Sequence, residues 1–204
     1  MPSLYIITGS NGAGKSTVGP EYLPTEILKN HTVFDGDLLY VQKLRKLFPG
    51  QIKSPKYARQ AALNYVIDLF EKQTNEALTN NDDYVYEGHF TNDETWNKPK
   101  EFKEAGYDIH LIFFGLENPE LSQFRVTEGG HYVDSVTLSN NFYGNLEKFN
   151  VYYPLIDNLT IVDTSQINHR ILFKTIFGKP EFYVPTEELP AWFTDFFPES
   201  YSYL

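Results

Sequence analysis

The chain has 204 residues, 41% hydrophobic and 16% aromatic, which suits one domain with a sizeable core. Asp plus Glu outnumber Lys plus Arg by 27 to 17, and the net charge of −10 disfavours extended nucleic acid as a partner. A lack of cysteine excludes disulfides, thiolate metal sites and a cysteine nucleophile, and with no run of about 20 apolar residues and no charged leader a cytoplasmic location without membrane association is expected.

Leu4 to Ile7 reads as a first buried strand, followed by "TGSNGAGKS" and a helix from Lys15 to about Leu23. Thr32 to Phe34 reads as a short second strand ending at Asp35-Gly36-Asp37. Apolar positions from Ala61 to Ala77 recur at helical spacing and predict one long helix over 56–78. Tyr84 to Tyr86 forms a third strand ending at Glu87, Trp96 to Ala105 a helix stopped by Gly106, and Ile109 to Phe114 the strongest strand signal. Residues 117–149 are polar with helical pieces and read as a lid. Leu159 to Asp163 returns to strand, and Arg170 to Phe177 reads as a last strand at an edge. Alternating strands and helices predict an α/β fold with a mainly parallel, doubly wound sheet and helices on both faces. The expected division is a kinase-like P-loop domain over 1–178 and an aromatic tail over 179–204. The tail carries Phe182, Tyr183, Trp192, Phe193, Phe196, Phe197, Tyr201 and Tyr203, and either packs back on the domain or meets a partner.

Gly9-x-x-x-x-Gly14-Lys15-Ser16 matches the phosphate-binding P-loop in full, between a predicted strand and a predicted helix. Glycines let successive amides approach the β-phosphate, and the helix that follows adds its N-terminal dipole. Gly9, Ser10, Asn11, Gly12, Ala13, Gly14, Lys15, Ser16 and Thr17 are therefore the candidate ATP-binding residues. Lys15 would reach the β- and γ-phosphates and the Ser16 hydroxyl would ligate Mg²⁺. The absence of an Asn-Lys-x-Asp guanine signature and of an ABC signature favours a small-molecule kinase.

Ligands of a doubly wound sheet gather at the carboxyl ends of its strands, where Asp37, Glu87 and Asp163 are expected. A kinase needs a carboxylate to orient or deprotonate the attacking hydroxyl. Asp37 is the first candidate, with Asp35 competing and an Asp-Gly-Asp turn or helix cap as the plain alternative. Glu87 would grip substrate hydroxyls or be a surface carboxylate. Asp163 resembles a Walker B acid but also fits a helix cap before Thr164-Ser165. His89 could touch substrate, and His131 either contacts phosphate or caps a lid helix.

With these residues in place the chain resembles the zeta-toxin group of P-loop kinases, specifically its free-standing bacterial "predicted ABC-type ATPase" branch. "LYIITGSNGAGKST", "VFDGD", "YVYEGHF", "EFKEAGYDIHLIFFGLENPEL", "RVTEGGHYV" and "NLTIVDTS" carry the resemblance over about residues 3 to 165. It implies transfer of the ATP γ-phosphate to a hydroxyl of a UDP-N-acetylglucosamine-like sugar nucleotide. Asp37 falls on the family's catalytic acid and Glu87 on its substrate-binding glutamate; an antitoxin partner is implied as well. The family's lid supplies arginines to the transferring phosphoryl group. Here Arg125 is retained, whereas Leu121 and the Asn140-Asn141 segment stand where other arginines are expected, and Gly88-His89 replaces Thr-Thr. Arg125, Lys148 or Arg170 would have to serve instead. Otherwise the chain is a degenerate nucleotide-binding module that works through a protein partner. A polynucleotide kinase is a third reading, opposed by the net charge.

Overall fold

The computed structural model describes residues 1–128 and 133–197. His131, Tyr201 and Tyr203 lie outside them. Strands β1 (Ser3–Gly9), β2 (Phe34–Asp35), β3 (Tyr84–Gly88), β4 (Asp108–Gly115), β5 (Asn158–Asp163), β6 (Arg170–Ile176) and β7 (Lys179–Tyr183) form one sheet in the order β2-β3-β1-β4-β5-β6-β7. The first five neighbours are parallel, and β6 and β7 add an antiparallel hairpin at one side. β6 is therefore not the edge that the sequence suggested: β7, with a proline and five exposed residues, pairs along its outer side.

β1 and β4 are the innermost strands and read as near-continuous apolar runs, His110 apart, because both faces are covered. Leu4, Ile6 and Ile7 of β1 and Ile109 and Phe114 of β4 lose almost all contact with water. The helices are α1 (Lys15–Val18), α2 (Thr25–Asn30), α3 (Gly36–Leu47), α4 (Pro55–Asn80), α5 (Asn97–Glu104), α6 (Pro119–Glu128), α7 (Ser135–Tyr152) and α8 (Ala191–Phe196). The helix expected over Lys15 to Leu23 is only four residues of α-helix; a 3₁₀ turn over Gly19–Tyr22 replaces the rest, with Pro20 in its first turn. α4 carries Ala58 and Ala62 against Leu47 of α3, so two small side chains let the α3–α4 pair close as a hairpin.

The last elements return to the core. Trp192 and Phe197 are buried against Phe113 and Phe149, and the buried Phe193 stacks on Phe197. Gly115, at the end of β4, makes room for the indole: a Cβ there would lie 2.1 Å from Trp192 Cη2.

Candidate active site

Parallel pairing brings five strand ends to one edge. Asp35 stands opposite Glu87, Ile7 opposite Glu87, Gly9 opposite Phe114 and Gly115 opposite Asp163. The P-loop leaves the central strand β1 at this edge and leads into α1.

The loop needs its glycines. Gly9 has φ 146°, Gly12 φ 70° and Gly14 φ 88°, and a Cβ on Gly9 would sit 2.3 Å from the Phe114 carbonyl oxygen. The loop carbonyls are all engaged. Ser122 Oγ of α6 donates to Asn11 O at 2.6 Å, Arg125 Nη1 to Gly12 O at 3.5 Å, and Thr164 Oγ1 to Ala13 O at 3.0 Å. Lys15 Nζ donates to Gly9 O at 3.1 Å and Ser10 O at 3.0 Å. The amides of Asn11, Gly12, Gly14, Lys15 and Ser16 donate to no acceptor among the described residues. Buried backbone amides seek acceptors, so a loop whose carbonyls are tied back and whose amides are unused is a cradle for an anion. Lys15 is 8% exposed; burial pushes its pKa down, while Glu87, Asp37 and Asp35 push it back up.

The carboxylates divide by environment. Asp35, not Asp37, supplies the cap of α3: its Oδ1 accepts from Leu38 N at 2.8 Å. Asp37 sits in the first turn of α3 with its side chain 84% exposed, 3.6 Å from His89 Nε2. Glu87 is largely shielded. Its Oε1 accepts from Ser16 Oγ at 2.9 Å, and its Oε2 is buried with no partner among the described residues. Burial pushes the Glu87 pKa up, partly offset by Lys15. Lys15, Ser16, Asp37, Glu87 and His89 thus come together around one loop.

Asp163 does not cap a helix, because no helix follows it and β6 begins at Arg170. Its Oδ1 accepts from the Ser165 amide at 3.1 Å, Ser165 Oγ at 2.6 Å and the Trp192 indole N–H at 3.2 Å. This is a closed turn beneath an indole. Arg125 Nη2 donates to Ser165 O at 3.2 Å, which together with the Gly12 contact fixes the guanidinium on the carbonyl side of the loop. Lys148 pairs with Asp93 at 2.8 Å, and Arg170 with Glu188 at 3.5 Å and Asp163 at 4.0 Å, so each is engaged by acidic side chains. Leu121 packs against the core, Asn140 is exposed, and Asn141 Nδ2 donates to Asn11 Oδ1 at 2.8 Å.

Sequence reasoning missed Ser122, Thr164 and Asn145. Asn145 is 2% exposed, and its Nδ2 donates to Thr8 Oγ1 at 2.9 Å and to the His89 carbonyl. One signal was available: Asn141 and Asn145 are a turn apart within a helix whose neighbouring positions Leu138, Phe142, Leu146 and Phe149 are all buried.

A family model described as zeta toxin matches residues 1–165. The chain belongs to the zeta toxin family. Family and fold together make it a P-loop phosphotransferase. Among solved structures it is similar to one from the PezAT toxin–antitoxin system of Streptococcus pneumoniae, with TM-score 0.59 and 16% identity over 87% of this chain and 75% of that one. It is also similar to AvrRxo1-ORF1:AvrRxo1-ORF2 with sulphate ions, with TM-score 0.69 and 15% identity over 96% of this chain and 63% of that one. The same complex with ATP gives TM-score 0.67 and 16% identity over 89% and 60%. The chain thus spans less than two thirds of the AvrRxo1 chain. No curated protein matches it. No helix among the described residues is long and apolar enough to cross a membrane.

Proposed function

We propose that this zeta toxin family member is an ATP-dependent kinase that moves the γ-phosphate to a hydroxyl of a small polar acceptor seated beside Asp37 and Glu87. Glu87 carries the reading. One of its oxygens is bonded to the P-loop serine, and the other is buried and unpartnered among the described residues, where an acceptor hydroxyl would satisfy it. Asp37, exposed at the mouth of the same site, serves as general base. The free amides of the loop and Lys15 hold the β- and γ-phosphates. A sugar nucleotide of the UDP-N-acetylglucosamine kind is the acceptor that the family resemblance supports.

Mg²⁺ fits the donors present. It keeps most of its waters and needs few protein ligands beside the phosphates, so the Ser16 hydroxyl suffices without an acidic cluster, and none is found among the described residues. When bound, it would neutralise charge on the β- and γ-phosphate oxygens. Arg125 shapes the loop by holding Gly12 and Ser165.

The test is transfer from γ-labelled ATP with Mg²⁺ to a panel of UDP-sugars, free sugars and nucleosides, run beside Lys15→Ala. Transfer to one acceptor, lost in the variant, is expected. Tight ATP binding with no transfer would favour a second reading, a nucleotide-binding module acting through a protein partner. The position of Arg125 and the presence of Asn141 where a lid arginine was expected support that second reading. The similar structures come from the PezAT toxin–antitoxin system and the AvrRxo1-ORF1:AvrRxo1-ORF2 complex, which makes a protein partner reasonable under either reading.

A further inference from the structure

His89 is held from three sides. Its Nδ1 lies 3.3 Å from the Gly9 carbonyl oxygen. A carbonyl only accepts, so Nδ1 carries the proton and the neutral ring has its lone pair on Nε2. That nitrogen faces the Asn11 side-chain nitrogen at 3.5 Å and Asp37 Oδ2 at 3.6 Å. Asn11 presents its N–H₂ group because its own Oδ1 accepts from Asn141 Nδ2 of α7. Asn145, one turn further along α7, donates to the His89 carbonyl and to Thr8, which fixes the backbone beneath the ring.

The charged groups around the imidazole are Lys15 from α1 and Asp37 from α3. Strand β1 offers the Gly9 carbonyl, and α7 only uncharged amides. The positive charge of Lys15, then burial, push the His89 pKa below its ordinary value, with Asp37 and the Gly9 carbonyl opposing. With the Asn11 N–H₂ group facing Nε2 as well, these surroundings favour the neutral ring.

We infer that His89 is a positioning residue that presents an unprotonated Nε2 to Asp37 and shares the proton that Asp37 takes from the acceptor hydroxyl. This rests on the proposed role of Asp37 as base. The acceptor O–H bond breaks and its proton passes to Asp37 Oδ2. The electron pair left on oxygen forms the bond to the γ-phosphorus. The bond from that phosphorus to the bridging oxygen breaks, and its pair leaves on the nucleoside diphosphate. The proton then lies between Oδ2 and Nε2, where a lone pair would otherwise face a carboxylate, and it is finally lost to water. Positions 89 and 141, two places where the chain departs from its family's pattern, are joined through Asn11 into one unit.

The experiment is ¹⁵N-edited NMR of the imidazoles in the full-length protein, with His89 assigned by the signal lost in His89→Gln. The expected result is the Nδ1–H tautomer with a pKa below 6.5, the ordinary value. Asp37→Asn should lower that pKa further, because the opposing carboxylate charge is gone. Asn141→Leu, which touches His89 only through Asn11, should mix the two tautomers while the far-ultraviolet dichroism stays unchanged. An Nε2–H tautomer in the wild type, or a pKa unmoved by Asp37→Asn, would overturn the inference. In the transfer assay, His89→Gln should lower kcat about tenfold and move the acid limb of the pH profile down into the carboxylate range. A profile of wild-type shape in His89→Gln would also overturn it. If no acceptor is phosphorylated, the kinase reading fails, while the tautomer and titration still decide the His89 geometry.

Discussion

Glu87 and Asp163 occupy equivalent places, each at or near the carboxyl end of a parallel strand at the same edge of the sheet. Their surroundings make them opposites. Asp163 Oδ1 accepts three hydrogen bonds beneath Trp192 and its Oδ2 lies 4.0 Å from Arg170 Nε, so the carboxylate holds α8 and β6 to the end of β5. Glu87 gives one oxygen to Ser16 and keeps the other buried without a protein donor. A strand-end acid is thus a structural fastener where the chain supplies its donors, and a candidate for binding a ligand where it withholds one.

The largest expected separation of the two is in activity. Glu87→Ala should lower kcat/KM for the acceptor about 100-fold or more, because a hydroxyl-binding group is lost, with ATP affinity changed less than about threefold. Steady-state kinetics beside equilibrium ATP titration would show it, and an equal loss in ATP affinity would assign Glu87 to the nucleotide instead. Asp163→Ala should do the reverse. It strands the indole N–H and the Ser165 amide, so stability should fall by about 2–3 kcal/mol with activity retained below the transition. Differential scanning calorimetry should place Tm roughly 4–10 °C lower. Gly115→Ala attacks the same fastener from the other strand. The added methyl meets the indole at 2.1 Å, and a cost of about 1–3 kcal/mol is expected in denaturant unfolding.

The smallest effect is in pH dependence. Folding raises the Glu87 pKa above its ordinary value near 4.5, so the folded chain binds the proton more tightly than the unfolded one. Stability from this group is therefore present at low pH and is lost as pH rises from about 4.5 through the folded pKa. Glu87→Gln removes that loss. Its Tm relative to wild type should be higher at pH 8 than at pH 4.5, and a difference of the opposite sign would contradict the burial of an unpartnered oxygen.

Legibility in the sequence followed distance along the chain. The phosphate loop could be read because strand, glycines, lysine and helix are contiguous, and the buried strands because an apolar run bounded by turn residues has few other uses. Asp35 and Asp37 could not be told apart, since which one caps depends on whether α3 starts at Gly36, and that helix was not foreseen. The sequence leaves Asp163 between a Walker B acid and a helix cap because its donors come partly from Trp192, which lies 29 positions away. Nothing local marks Ser122 or Thr164, because the P-loop carbonyls to which they donate lie 111 and 151 positions away. Strand β7 was missed for a local reason: Pro180 and full exposure erase the alternation that marks a strand.

The central claim is that phosphoryl transfer is driven from the exposed acid of α3 while the nucleotide is held by the loop. It is tested most directly by measuring single-turnover transfer and ATP affinity side by side in wild type and Asp37→Ala. Transfer should fall by about 10²–10⁴-fold with ATP affinity nearly unchanged. An Asp37→Ala protein that transfers at the wild-type rate, or one that loses ATP binding in step with transfer, would contradict it.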